Sequence, residues 1–225
     1  LKLTTNMSLK GGMGSSAALG VAITRCLNEK FSLGLNDERI NEIAYNVEKL
    51  FHGNPSGIDN TVSTFGGLIS FKRGEGKNQI EKLHLEKPLE VVIADTGIFH
   101  DTAEIVEMVK ENKKKEPEKY EKMFGEYSEL VKEGRKGLEE NNLEKIGKLM
   151  NKNHELLKEM GVSCKELDLL VETALENGAL GAKLTGAGIG GNIIALTPGE
   201  ELQEKVAKAC KDLGYQIYKT RIGVK

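Results

Sequence analysis

The sequence predicts an α+β chain in two parts, and three observations carry that prediction. Strand-like stretches at 61–73 and 89–95 follow two amphipathic helical patterns. A long, charged helical run then extends over 101–178. The chain closes on helix, strand, strand, helix, strand, which is most of a split βαβ, ferredoxin-like unit. At 225 residues there is room for one large or two small domains with substantial cores.

Leu1-Lys2-Leu3-Thr4-Thr5-Asn6-Met7 alternates as a strand does. A strand at a terminus needs neighbours, so further residues are expected upstream of Leu1. Residues 15–30 read as a helix, with Ala17, Ala18 and Ala22 allowing close packing. A second helix over 37–51 starts at Asn36 or Asp37 and carries the stripe Ile40, Ile43, Ala44, Val47, Leu50 and Phe51. Glu48 sits on the flank of that stripe, one turn after Ala44. It is either solvated, as most such glutamates are, or partly buried and turned toward a neighbour. The loop His52-Gly53-Asn54-Pro55-Ser56-Gly57-Ile58-Asp59-Asn60 is dense in turn formers. The strand at 61–73 has Gly66-Gly67 as a bulge or turn, and 74–78 forms a turn before the strand at 89–95.

A helix begins near Asp101-Thr102 and breaks at Lys113-Lys114-Lys115-Glu116-Pro117. Helices follow over 118–141, 143–160 and 165–177, with Gly161 and Asn177-Gly178 as stops. The last part contains strands at 182–185 and 192–196, a helix over 200–213 and a strand over 215–221. Gly186-Ala187-Gly188-Ile189-Gly190-Gly191 joins the first two of these strands. Four glycines in six residues are more than a hairpin needs, which points to close approach of a ligand or another loop.

Composition narrows the function. Net charge is −2 and there is no Trp, so neither a nucleic-acid-binding field nor a base-stacking platform is expected. Cys26, Cys164 and Cys210 are scattered and odd in number, which fits a reduced, cytoplasmic setting. No run is apolar enough for a membrane span and no signal peptide is visible.

Lys10-Gly11-Gly12-Met13-Gly14-Ser15-Ser16-Ala17-Ala18 runs straight into the first helix. Glycines admit close backbone approach, and a helix start presents unpaired N–H groups and a positive dipole end. Such a loop suits an anion, phosphate above all. An ordinary N-cap before an Ala-rich packing helix would look the same. No Gly-Lys-Ser/Thr closes the loop, and its spacing is not that of a dinucleotide fingerprint. Asp59 could equally organise its own turn.

Taken together, these stretches resemble the GHMP kinases. Gly12-Met13-Gly14-Ser15-Ser16-Ala17-Ala18 is similar to the family phosphate loop, and Ala182-Lys183-Leu184-Thr185-Gly186-Ala187-Gly188-Ile189-Gly190-Gly191 to its glycine-rich third motif. The loop from His52 to Asp59 is similar to that of the mevalonate kinase branch, as are Asp95-Thr96-Gly97 and Lys152-Asn153-His154-Glu155-Leu156-Leu157, with a bacterial, Gram-positive cast. Ser8-Leu9-Lys10 stands where the family usually opens its loop with proline, Ile189 replaces a common glycine, and Asn192 replaces a small residue or Cys.

The resemblance implies a two-domain fold. Residues 1–95 would be an incomplete N-terminal domain like ribosomal protein S5 domain 2, and 96–225 a ferredoxin-like C-terminal domain. It implies ATP and Mg²⁺ as cofactors. Lys10, Gly11, Gly12, Met13, Gly14, Ser15, Ser16 and Gly188 would contact ATP. Ser16 and Glu48 would hold the metal. Asp59 would be the catalytic base, or would orient a lysine belonging to the family's upstream section. Ser56, Thr102 and Ala187 would lie near the acceptor, while His52 would be a structural hydrogen-bonding group. The implied acceptor is mevalonate, with phosphomevalonate, galactose and homoserine as alternatives within the family. An inactive nucleotide-binding fragment is the alternative outside it. A homodimer is compatible with the family, although no apolar stripe demands one.

Overall fold

The computed structural model describes residues 2, 4, 13–52, 55–72, 74 and 78–223, the side chains of 51 and 52 excepted. Apart from Lys2 and Thr4, the strand expected at 1–7 and the loop residues Ser8 to Gly12 therefore lie outside the described residues, as do Gly53-Asn54 and most of the turn at 74–78. The chain divides into two compact units, Leu1–Leu83 and His84–Lys225.

The first unit holds α1 (Ser15–Phe31), α2 (Asp37–His52), α3 (Ile58–Phe65) and the antiparallel hairpin β1 (Leu68–Lys72) and β2 (Gln79–Leu83). On α1 the buried positions are Ala17, Gly20, Val21 and Thr24, a single helical face of small residues. A Cβ built on Gly20 would lie 3.6 Å from Val47 and 3.9 Å from the Ala44 backbone, so α1 and α2 cross closely there. Val21, Ile40 and Ala44 form the core beside them. Arg25 fastens all three helices, donating to Asp37 Oδ1 at 2.9 Å and to the Thr64 carbonyl at 2.7 Å.

Three expectations change here. Residues 61–65 belong to helix α3, not to a strand. Their β-branched side chains suggested extended backbone, but Asn60, Thr61 and Thr64 are the buried positions, which is helical spacing. Gly57 starts this helix in the left-handed region, Gly66 stops it, and the Thr61 hydroxyl donates to the Gly57 carbonyl at 2.6 Å. Leu50 does not join the apolar stripe of α2, since it is 84% exposed. The buried line is Ile40, Ala44 and Glu48, so Glu48 continues the core face rather than flanking it. Finally, β2 was not anticipated, because its side chains are almost all exposed and leave no alternating pattern.

The second unit contains β3 (Leu89–Asp95), α4 (Thr102–Lys115), α5 (Pro117–Glu139), α6 (Leu143–Glu159), α7 (Lys165–Glu176), β4 (Gly181–Thr185), β5 (Asn192–Leu196), α8 (Glu200–Asp212) and β6 (Gln216–Ile222). The sheet order is β4-β5-β3-β6, with every neighbouring pair antiparallel. This is two interleaved βαβ crossovers, and β3 supplies the strand that completes the ferredoxin-like unit. The sequence division at 95/96 would separate β3 from its partners, whereas the units part between Leu83 and His84. Val92, Ala94, Leu184, Ile193 and Ala195 form the larger core with α7 and α8. Leu89, Val91 and Leu196 pack with Ile146 of α6 in a second cluster.

β4 is an edge strand, and α6 runs along it. A Cβ on Gly147 would lie 2.2 Å from the Leu180 carbonyl oxygen, and one on Gly181 the same distance from the Gly147 carbonyl oxygen. The two backbones are thus in direct contact. Further along, Ala182 N–H donates to Asn151 Oδ1 at 2.8 Å and Leu184 N–H to His154 Nδ1 at 3.3 Å. Side chains of α6 thereby accept the edge donors that a further strand would otherwise take. Among the described residues no helix is long and apolar enough to cross a membrane.

Gly147→Ala should therefore destabilise the protein by about 1–3 kcal/mol through overpacking. Gly125→Ala, a helical glycine whose Cβ would meet open space, should be stabilising by about 0.5–1 kcal/mol. Denaturant midpoints of the two variants check the pair.

Candidate active site

In the first unit the site is built at the start of two helices. Gly14 is the N-cap of α1 in the left-handed region (φ 67°), with no side-chain cap. Ser15 and Ser16 occupy the first turn rather than capping it. Gly57, also left-handed, starts α3 and puts Asp59 in that helix's first turn. The two starts meet. A Cβ on Gly14 would lie 3.3 Å from Asp59 Cβ and 3.5 Å from Asp59 Oδ1. Two helix N-termini in one place favour negative charge, whether a carboxylate or a phosphate.

Glu48 is 3% exposed, on the core face of α2. Gly20 packs at Ala44 and Val47, and α1 and α2 run antiparallel through a short connection. Glu48 stands one turn beyond Ala44 on the same face of α2. Among the described residues no group of three or more His, Cys, Asp or Glu could hold a metal, so a metal here would depend on oxygens from a ligand. Ser56 lines a polar groove of about 420 Å³ with Asn41, Tyr45, Asn60, Thr61 and Asn78. Its hydroxyl accepts from Ile58 N–H at 3.2 Å, and Asn78 donates to its carbonyl at 3.2 Å. Lys10, Gly11 and Gly12 lie outside the described residues, as does the side chain of His52; Met13 is exposed.

In the second unit the glycine loop between β4 and β5 is left-handed at Gly186, Gly188, Ile189, Gly190 and Gly191. It is gripped from two sides. Thr96 donates to the Gly191 carbonyl through its N–H (2.9 Å) and its hydroxyl (2.8 Å), and Gly191 N–H donates to the Ile98 carbonyl at 2.9 Å. From the other side, Ile189 N–H donates to the Val162 carbonyl at 2.8 Å. A Cβ on Gly188 would lie 2.0 Å from that oxygen, and one on Gly190 2.6 Å from the Ile98 oxygen. Glycine is required at both positions. Asp95 Oδ1 accepts from Gly97 N–H at 2.8 Å and shapes the turn that carries Thr96. Ala187 is partly exposed on the loop, and Thr102 is exposed at the start of α4, where Asp101 caps Ala103 N–H at 2.8 Å.

The grip of Val162 and Ile98 was invisible in the sequence because backbone carbonyls carry it. Thr96 could have been singled out from Asp95-Thr96-Gly97. Lys183, beside this loop on β4, turns its ammonium to the Leu184 carbonyl at 2.8 Å, and burial pushes its pKa down to about 8.

Comparison with known proteins accords with this architecture. Residues 1–67 match the model of the GHMP kinases N terminal domain, and 135–216 that of the GHMP kinases C terminal. The mevalonate kinase of Pyrococcus abyssi is 39% identical over 227 residues, covering 99% of this chain and 66% of that protein. A crystal structure of L. major mevalonate kinase in complex with R-mevalonate is 36% identical with a TM-score of 0.92, covering 96% of this chain and 67% of the other. Likeness to the Staphylococcus aureus mevalonate kinase is lower, at 26% identity and a TM-score of 0.72 over 95% of this chain and 68% of the other. The chain belongs to the GHMP kinase family. It spans about two thirds of the length of the curated relatives it matches.

Replacing Thr96 by Val keeps its shape and removes the hydroxyl that donates to Gly191 O and accepts from Ile98 N–H. A loss of about 1–3 kcal/mol is expected, with faster amide exchange at Gly191, read by hydrogen-exchange mass spectrometry.

Proposed function

We propose that this chain carries the phosphoryl-transfer residues of a mevalonate kinase, which moves the γ-phosphoryl group of ATP to the primary alcohol of mevalonate. The observation that carries the reading is the approach of Asp59 to Gly14. It sets a carboxylate beside the helix start suited to phosphates, where an acceptor hydroxyl has to meet them. Family membership and the mevalonate kinases among the relatives support the choice of substrates.

Phosphoryl transfer needs neutralised phosphate charge, an in-line hydroxyl and a group that orients or deprotonates it. The backbone from Gly11 through Ser16 would cradle the phosphates, with Lys10 adding positive charge. The α1 start supplies backbone N–H groups and its dipole for this. Asp59 would accept the proton of the attacking hydroxyl, or would hold the cation that lowers its pKa. For Glu48, which is buried on the core face of α2, the motif match supports a metal-holding role. Glu48 and Ser16 would hold Mg²⁺, which when bound neutralises phosphate charge. Ser56 would contact the acceptor from the polar groove. For Gly188, Ala187 and Thr102 the motif match alone supports contacts with nucleotide and acceptor. A cytoplasmic enzyme, alone or as a homodimer, is the setting this reading implies.

The test is ADP release with Mg-ATP and (R)-mevalonate. Asp59→Asn should lower turnover by about 10²–10⁴-fold while Mg-ATP affinity, measured by calorimetry, changes less than about threefold. Glu48→Gln should raise the Mg²⁺ concentration needed for half-maximal rate. Undiminished turnover in Asp59→Asn removes this residue from the chemistry. Faster turnover of phosphomevalonate, galactose or homoserine replaces the acceptor.

A further inference from the structure

We propose that His154, backed by Asp168, is the positioning residue of the second glycine loop: its neutral imidazole holds the strand that enters the loop, and protonation releases it. His154 is 2% exposed on α6. Its Nδ1 accepts from Leu184 N–H at 3.3 Å, two residues before Gly186. Nδ1 must therefore be unprotonated, which puts the single ring proton on Nε2. Nε2 faces Asp168 Oδ1 at 3.2 Å.

The same Asp168 oxygen accepts the Ser163 hydroxyl at 2.6 Å. Ser163 follows Val162, whose carbonyl accepts from Ile189 N–H and leaves Gly188 no room for a Cβ. One His–Asp pair thus reaches the loop twice. It holds the entry through Leu184 and the middle through Ser163 and Val162.

An imidazolium has two donors and no acceptor. On protonation Leu184 N–H would lose its partner and face a second N–H. The charged groups acting on the ring are Asp168 on α7 and Glu155 and Lys158 on α6, while Lys183 on β4 turns its ammonium to the Leu184 carbonyl. Burial dominates and holds the His154 pKa below 6.5, against the opposing pull of Asp168 and Glu155. With the folded value depressed, the unfolded chain binds the proton first. The grip is complete above about pH 6.5 and is lost as pH falls through the folded value.

The loop geometry stands without the kinase reading; only the effect on turnover rests on it. The experiment uses the whole chain and the variants His154→Asn, which keeps an acceptor near the Nδ1 position and cannot titrate, and His154→Ala. Nitrogen-15 NMR at pH 7.5 should find the Nε2–H tautomer. Hydrogen exchange over 184–191, corrected for intrinsic rates, should quicken about tenfold in His154→Ala, as for the loss of one buried hydrogen bond. His154→Asn should restore most of the protection. Wild type should lose protection as the pH is lowered from 6.5 through the folded value, and His154→Asn should not. With Mg-ATP and mevalonate, kcat should fall over the same pH range in wild type and not in His154→Asn, with KM for ATP little changed.

An Nδ1–H tautomer, or exchange indifferent to His154→Ala and to acid, overturns the proposal. If His154→Ala does not fold, the wild-type tautomer and the pH contrast with His154→Asn still decide it. Absence of turnover in every variant counts against the kinase reading and leaves the exchange result standing.

Discussion

The arrangement of the second unit depends on one contact, the meeting of the α6 and β4 backbones at Gly147 and Gly181. An edge strand leaves alternate donors unpaired, and a helix cannot normally satisfy them because its side chains hold it too far away. Here neither backbone carries a Cβ at the crossing. α6 comes close enough for two short polar side chains, Asn151 and His154, to act as strand acceptors. Positions 147, 151 and 154 follow one helix face. The last of them holds the residue from which the chain turns into the glycine loop.

The first unit uses small residues for a similar purpose. Gly20 lets α1 settle on α2 at Ala44 and Val47, next to the buried Glu48 in the chain. Arg25 ties the start of α2 and the end of α3 to α1. Gly14 and Asp59, 45 residues apart in sequence, adjoin because both stand at helix starts fixed by left-handed glycines.

Most helices and the strands of the second unit were legible because each carried its own period and its own stop, as at Pro117, Gly161 and Gly178. The hairpin around the second glycine cluster was legible for the same reason. What failed was local propensity against context. The run Thr61-Val62-Ser63-Thr64 favours extended backbone, yet packing on α1 and α2 makes it helical. β2 is nearly all exposed, so nothing in its side chains marks it as a strand. In the candidate site, the glycine loops and Asp59 stood out because the chemistry proposed for them is written in residue types. The carbonyls of Val162 and Ile98 were not, because a backbone acceptor has no sequence signature.

Ile189 is the one non-glycine residue of its loop held in the left-handed region (φ 51°). A β-branched residue there bears strain of about 1–3 kcal/mol. Its side chain is packed against the main core of the second unit, which offsets that strain. Ile also samples fewer unfolded conformations than a glycine would. A run of flexible residues is thereby given a hydrophobic anchor at its centre. A ligand meeting this loop would find much of its ordering entropy already lost, so less of the binding energy would be consumed in fixing its shape.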